Sequence, residues 1–213
     1  MICATWGAVI GTRGERFLQF SPLMEDTRHE EERLTVERAR AGDAQALAQL
    51  YDLYFPRIYR YIHARTGSAT DAEDITEETF LHMLSGIGDF QWRQAPFAAW
   101  LFRIAHNQVI SHVRKNGARR YEAPLTESMV DTTPDPLTQV ETRLSFEEVL
   151  KAANLLSNAQ REVILLRFAV GLPVSDTAHA LGKTAGNVKV LQHKAIVRLQ
   201  KLLAAPESKN GNR

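Results

Sequence analysis

The chain has 213 residues, 44% of them hydrophobic, and 26 Lys or Arg against 25 Asp or Glu, an ordinary globular balance whose net charge points to no partner. Cys3 is its single cysteine, which excludes an internal disulfide framework and any cysteine-based zinc site and fits a reducing, cytoplasmic setting. No run reaches the ~20 apolar residues that a membrane span requires, and the apolar stretch 1–10 lacks the basic flank of a signal peptide.

Residues 1–33, rich in Gly and mixed charge, read as a poorly ordered extension. From residue 34 onward apolar residues recur three and four apart, with no convincing strand alternation, so the expected fold is all-α. Helices are expected at 34–41, at 44–55 with Asp43 as N-cap, and at 56–65, with Pro56 opening the last of these. A further helix, capped by Asp71, runs to about Ser85 and is broken by Gly86 and Gly88. Pro96 then opens a long helix toward Gly117. Residues 34–120 thus form one helical domain. Residues 121–139 contain Pro124, Pro134 and Pro136 and four acids without a base, the composition of a linker. Helices at 140–156, 158–169, 174–181 and 184–203 make a second bundle, and 204–213 is a tail.

Charge along the first domain is sorted into blocks. Asp71, Glu73, Asp74, Glu77, Glu78 and Asp89 come with no Lys or Arg between Arg65 and Arg93. Arg93, Arg103, Arg114, Lys115, Arg119 and Arg120 follow with no acid before Glu122. The acids of the first turn also complement the helix dipole, but that does not account for Glu77, Glu78 or the absence of bases. The arrangement suggests two partners, one of them nucleic acid. The basic block is interleaved with Phe90, Trp92, Phe97, Trp100 and Phe102, a composition suited to unpaired strands. Phe97, Trp100 and Ile104 taken singly read as core, which leaves Asn107 and the bases of 114–120 as the stronger functional candidates.

In the second domain, the helix at 174–181, Gly182 and the helix from Thr184 have the form of a helix-turn-helix. Between Asp176 and Glu207 stand Lys183, Lys189, Lys194, Arg198 and Lys201 and not one acid, which suits phosphate contact. Asn187, Lys189 and Gln192 lie in the first two turns of the second helix, where side chains reach base edges. Ala178 and Val188 are expected to pack the two helices together.

The segments DAEDITEETFLHML, APFAAWLFRIAHNQVISHVRK and LSNAQREVILLRFAVGLPVSDTAHALGKTAGNVKVLQHKAIVRL, in this order around a Pro-rich linker, closely resemble the extracytoplasmic-function group of bacterial sigma factors. The resemblance covers roughly residues 34–203. It implies that 34–120 is a sigma region 2 and 140–203 a sigma region 4. Asp74, Glu77, Glu78 and Phe80 would then meet the β′ clamp of RNA polymerase core, with the β flap as a further contact. Trp100, Arg103, Asn107, Arg114, Lys115, Arg119 and Arg120 would capture the −10 element. Lys183, Thr184, Asn187, Lys189, Gln192, Lys194 and Arg198 would read the −35 element.

Implied partners are core polymerase, promoter DNA and an anti-sigma factor, with no cofactor, metal or catalytic group. The seven histidines show no metal-ligand spacing, and no nucleophile motif is present. Two positions depart from the family pattern: His106 stands where Arg is usual, and Asn187 where Thr is commoner. A conventional helix-turn-helix regulator acting on duplex DNA without polymerase is the alternative reading.

Overall fold

The computed structural model describes residues 22–92, 95–116 and 152–204, and among them every regular element is helical. Helix α1 spans Pro22–Arg40. The expected loose extension is therefore corrected from residue 22 onward, and the last turns of α1 are held by packing. Val36 and Ala39 are buried, the Tyr54 hydroxyl donates to Glu32, and Trp92 Nε1 donates to Glu37 Oε1 at 3.0 Å. Residues 1–21 and the linker 121–139 lie outside the described residues, as does the tail beyond 204.

Helix α2 spans Ala44–Thr66. Asp43 caps it as expected, accepting from the backbone N–H of Gln45 at 2.9 Å and of Ala46 at 3.2 Å. The break expected at Pro56 does not occur, because α2 runs through it without interruption. A proline inside a helix costs about 3 kcal/mol. Leu50, Tyr54, Ile58, Tyr61 and Ile62 form one buried stripe across that point, and each such burial contributes roughly 1.5–3 kcal/mol, so packing outweighs the local signal.

Helix α3 spans Ala69–Gly86. Its cap is Ser68 rather than Asp71: the Ser68 hydroxyl accepts from Asp71 N–H at 3.2 Å. A 3₁₀ turn at Ile87–Asp89 follows, and helix α4 spans Phe97–Asn116, starting behind Pro96 as expected. Phe97, Leu101, Phe102, Ala105 and Val109 are its buried face, closing a core with Ile75, Phe80 and Met83 of α3 and the stripe of α2.

In the second bundle, helix α5 spans Asn158–Ile164 and opens on a capping box between Ser157 and Gln160. A π-helical turn, Leu165–Ala169, replaces the straight continuation expected there. Val170 N–H reaches Leu165 O, and Leu172 N–H reaches Leu166 O. Helix α6 spans Val174–Leu181 and helix α7 spans Ala185–Ala204, joined by a turn in which Gly182 has φ 60°. Ala178 and Val188 are buried between them as expected. Of the expected helix 140–156, only 152–156 falls within the described residues.

The two bundles touch. Helix α6 packs along α4, and the π turn packs on α2, where Arg57 Nη2 donates to Val170 O at 3.2 Å.

Only glycine adopts the left-handed backbone of Gly182 without penalty. Gly182→Ala should lower stability by about 1 kcal/mol, read as a fall in urea midpoint with unchanged slope. Gly88→Ala, with open space around its Cβ and no left-handed φ, should stay within about 0.5 kcal/mol of wild type.

Candidate nucleic-acid interface

One face of α3 carries the acidic block outward. Asp74, Glu77 and Glu78 are exposed together with Leu81, at 64%, and Leu84, at 47%. Phe80, expected as an aromatic anchor for a partner, is only 4% exposed and belongs to the core. Its ring centroid lies 4.7 Å from that of Tyr51 and 6.2 Å from that of Phe55. One residue is about 100° of helix rotation, which is why Leu81 rather than Phe80 meets solvent. Tyr51, itself exposed, is the aromatic surface this face offers. Asp71 leaves the acidic face and approaches His112 of α4, Oδ1 to Nε2 at 3.5 Å.

Helix α4 presents a second face. Arg103, Asn107, Ile110 and Arg114, spaced four, three and four, fall on one exposed stripe, with Lys115 beside it. Ile110, 46% exposed in the middle of this polar row, was not among the residues expected from sequence. Arg119 and Arg120 lie outside the described residues. Trp100 is half-buried rather than free, its ring 5.2 Å from Phe90 and 5.5 Å from Phe97. It lies so close to α3 that a Cβ on Gly86 would meet Cζ2 at 3.3 Å. Trp100 and Arg103 line a 220 Å³ cavity with Gly86, Asp89 and Phe90. His179 of α6 also lines it, so the second bundle supplies one wall.

On α7 the exposed stripe is Asn187, Val190, Lys194, Arg198 and Lys201, again at spacings of three and four. Lys189 is exposed to one side of it. The Thr184 hydroxyl accepts from Asn187 N–H at 3.2 Å and so caps the helix, while Lys183 is half-buried in the turn. Gln192 is not free: its Oε1 accepts from Arg167 Nε at 3.1 Å, and Arg167 also donates to Leu172 O. Gln192 thus supports the π turn in this conformation. Val190, 52% exposed in the basic stripe, is an apolar contact that sequence patterning did not single out.

Between the bundles sits a buried polar node that was not legible from the sequence. Glu162 of α5 is 5% exposed. Its Oε2 accepts from the Tyr61 hydroxyl at 2.7 Å, and its Oε1 lies 2.8 Å from Arg65 Nε and 3.5 Å from His106 Nδ1. Arg65 Nε makes no well-aligned hydrogen bond, so its pairing with the carboxylate is charge attraction without a directed bond. Tyr61 spends its one proton on Glu162. The 3.0 Å contact between its oxygen and His106 Nδ1 therefore requires the proton on that nitrogen. His106, the departure from the family pattern, is thus committed to the node and not to the exposed stripe.

Burial alone would raise the Glu162 carboxyl. The hydrogen bond with His106, the Arg65 charge and the Tyr61 hydroxyl outweigh it and hold the group below the ordinary glutamate value. Burial, then the Glu162 charge, push the Tyr61 phenol far up, so it remains a donor.

Models of two families match the chain: Sigma-70 region 2 over residues 50–119 and Sigma-70 region 4 over residues 152–201. The chain is 42% identical over 171 residues to the ECF RNA polymerase sigma factor BldN of Streptomyces coelicolor, covering 79% of this chain and 64% of that protein's length. It is 32% identical over 175 residues to the ECF RNA polymerase sigma factor SigD of Mycobacterium tuberculosis, covering 80% of this chain and 82% of that one. Among solved structures, it is similar to the sigma factor RpoE of Bartonella quintana in complex with the anti-sigma factor NepR. That match has TM-score 0.57 at 26% identity and covers 75% of this chain and 97% of that one. The chain belongs to the ECF group of the sigma-70 family of RNA polymerase sigma factors. No helix among the described residues is long and apolar enough to cross a membrane.

A carboxyl whose pKa is lowered on folding stabilises fully above its unfolded value of about 4.3 and loses that contribution as pH falls through the lowered value. Wild type should therefore exceed Glu162→Gln in urea midpoint at pH 6 to 7, with the gap closing progressively below about pH 4. A gap that widened in acid would contradict the node.

Proposed function

We propose that this protein is a transcription initiation factor that binds core RNA polymerase through α3, opens the −10 element along α4 and reads the −35 element through α7. The observation that carries this reading is the adjacency of two exposed faces on packed helices. The acid-and-leucine face of α3 and the Arg103–Asn107–Ile110–Arg114 stripe of α4 lie on helices packed against each other, and Arg103 of the stripe lines the cavity together with Gly86 at the end of α3. Residues 34–120, 121–139 and 140–203 are taken as region 2, linker and region 4, and α1 belongs with region 2 because Val36 and Ala39 enter its core.

Each surface has a chemistry that fits its role. Leu81, Leu84 and Tyr51 supply apolar contact amid Asp74, Glu77 and Glu78, whose charges suit a basic partner. On α4, Arg103, Arg114 and Lys115 follow a phosphate backbone, Asn107 offers an amide to a base edge, and Ile110 is a wedge against a base step. The cavity beside Trp100 and Phe90 would receive an extruded base, repaying the few kcal/mol of unstacking. On α7, Lys194, Arg198 and Lys201 meet phosphates and Asn187 reaches base edges. Val190 faces a thymine methyl.

No step calls for bond-making by the protein, so it acts without a catalytic group, a metal or a cofactor, and in the cytoplasm. The NepR complex of the similar RpoE supports a role for an anti-sigma partner here.

Run-off transcription with purified core over a genomic library tests the whole reading; no promoter-dependent product would refute it. Glu77→Lys with Glu78→Lys should weaken core binding at least about tenfold with unchanged helical circular dichroism, whereas Phe80→Ala should cost about 3–5 kcal/mol of stability. Lys194→Ala and Arg198→Ala should each weaken duplex binding across sequences and reduce its salt slope by about 1. Salt slopes indistinguishable from wild type would remove α7 from the duplex.

A further inference from the structure

The side-chain amide of Gln192 is already half used within the protein. Arg167, in the π turn ahead of α6, donates from Nε to Gln192 Oε1 at 3.1 Å. A guanidinium has donors and no acceptor, so the amide oxygen, not its nitrogen, must face Arg167. Arg167 is itself held: it donates from Nη1 to the Leu172 carbonyl, and its Cζ lies 6.0 Å from the centroid of the Phe168 ring. The π turn that carries it has one residue more than an α-helical turn, and such insertions are frequent at functional sites. Among the described residues Arg167 is the one hydrogen-bond partner of Gln192, which leaves both hydrogens of its NH2 group unused.

Gln192 lies about two turns into α7. It is half-buried at the border of the exposed side, between Lys189 and His193, both of which are exposed. The first turns of a recognition helix are those that meet base edges in the major groove. An unrestrained glutamine reads adenine, because its oxygen accepts from N6 while its nitrogen donates to N7. The oxygen of Gln192 keeps a second lone pair. It is tied toward the π turn, however, with a guanidinium charge beside it, which favours a base edge of acceptors over an approaching amino group. What remains is a pair of N–H donors. In the major groove guanine alone presents two acceptors side by side, N7 and O6. Adenine and cytosine each turn an amino group toward the incoming NH2, and thymine offers O4 alone.

We infer that Arg167 sets the base specificity of Gln192: by holding the amide oxygen, it turns a glutamine that would read adenine into a pair of donors that reads guanine at one base pair of the −35 element. Arg167 acts through Gln192 and needs no contact with DNA to do so. This inference rests on the proposed reading of the −35 element by α7.

The test measures base preference on a library of duplexes randomised upstream of a transcribed segment. The full-length chain is used alone in duplex selection and, separately, with core polymerase in transcription. Comparing wild type with Gln192→Ala locates the base pair that residue 192 meets. Wild type should enrich guanine over adenine there at least about fivefold, and Gln192→Ala should lose that preference. Arg167→Met removes the donors and frees the amide. It should swing the same position to adenine by a similar factor and leave the other positions unaltered, which a merely structural role would not do. Adenine preferred by wild type, no position that answers to Gln192→Ala, or a folded Arg167→Met that still prefers guanine overturns the inference. The wild-type preference decides by itself should Arg167→Met fail to fold.

If the chain alone selects guanine at that position but yields no promoter-dependent product with core, the assignment to Arg167 and Gln192 stands and the initiation role falls. If product forms and that position favours adenine, the reverse holds.

Discussion

Burial of one face of α2 sets the geometry from which everything else follows. Leu50, Tyr54, Ile58, Tyr61 and Ile62 run as a single stripe along 23 residues, and α1, α3 and α4 are packed on that helix. The same helix carries Arg57, Tyr61 and Arg65 to the second bundle. A helix that served only the core would tolerate a kink at Pro56. This one has to keep Tyr61 and Arg65 in phase with Leu50 and Tyr54, and a break would rotate the node away from Glu162. The proline is retained within a continuous helix because contacts on both sides of it fix the axis.

Once that core is fixed, the exposed faces are determined by helix phase. In α4, Phe97, Leu101, Ala105 and Val109 turn inward, which leaves Arg103, Asn107, Ile110 and Arg114 outward at matching spacings. In α3, Ile75, Thr79, Phe80 and Met83 turn inward and Asp74, Glu77, Glu78, Leu81 and Leu84 outward. Thr76 and Thr79, buried in α3, return their hydroxyls to the carbonyls of Ala72 and Ile75, so that face costs no unpaired polar group. Among the described residues, Asp74, Glu77 and Glu78 lie on the outward face of α3 and Arg103, Arg114 and Lys115 on that of α4, so segregation of charge along the sequence becomes segregation in space.

The sequence made the all-α fold, the order of the two bundles and the helix-turn-helix legible, because these rest on local periodicity and on Gly and Pro signals. Phase and long-range partners were less so. Whether Phe80 or Leu81 faces outward depends on Tyr51 and Phe55, some 25 residues earlier in the chain. Ser68 and Asp71 are both good caps, and only the docking of α3 chooses between them. Ile110 and Val190 carry no polar signal, and only the structure shows them exposed among the polar residues of their helices. Glu162 was the least visible of all. A lone acid ahead of Val163, Ile164, Leu165 and Leu166 looks like a solvated helix position, and its partners lie as far away as residue 61.

His106 connects these threads. The resemblance to the family marks it as a departure, a His where Arg is usual. Its ring lies on the flank of α4, where it meets Tyr61 and Glu162, about 60° around the helix from Arg103. An Arg at that position would bring a second permanent charge to a carboxylate already paired with Arg65. An imidazole with its proton on Nδ1 serves the contact with the Tyr61 oxygen. Residue 106 thus serves the contact between bundles, and Arg103 and Arg114 are left on the exposed side of α4.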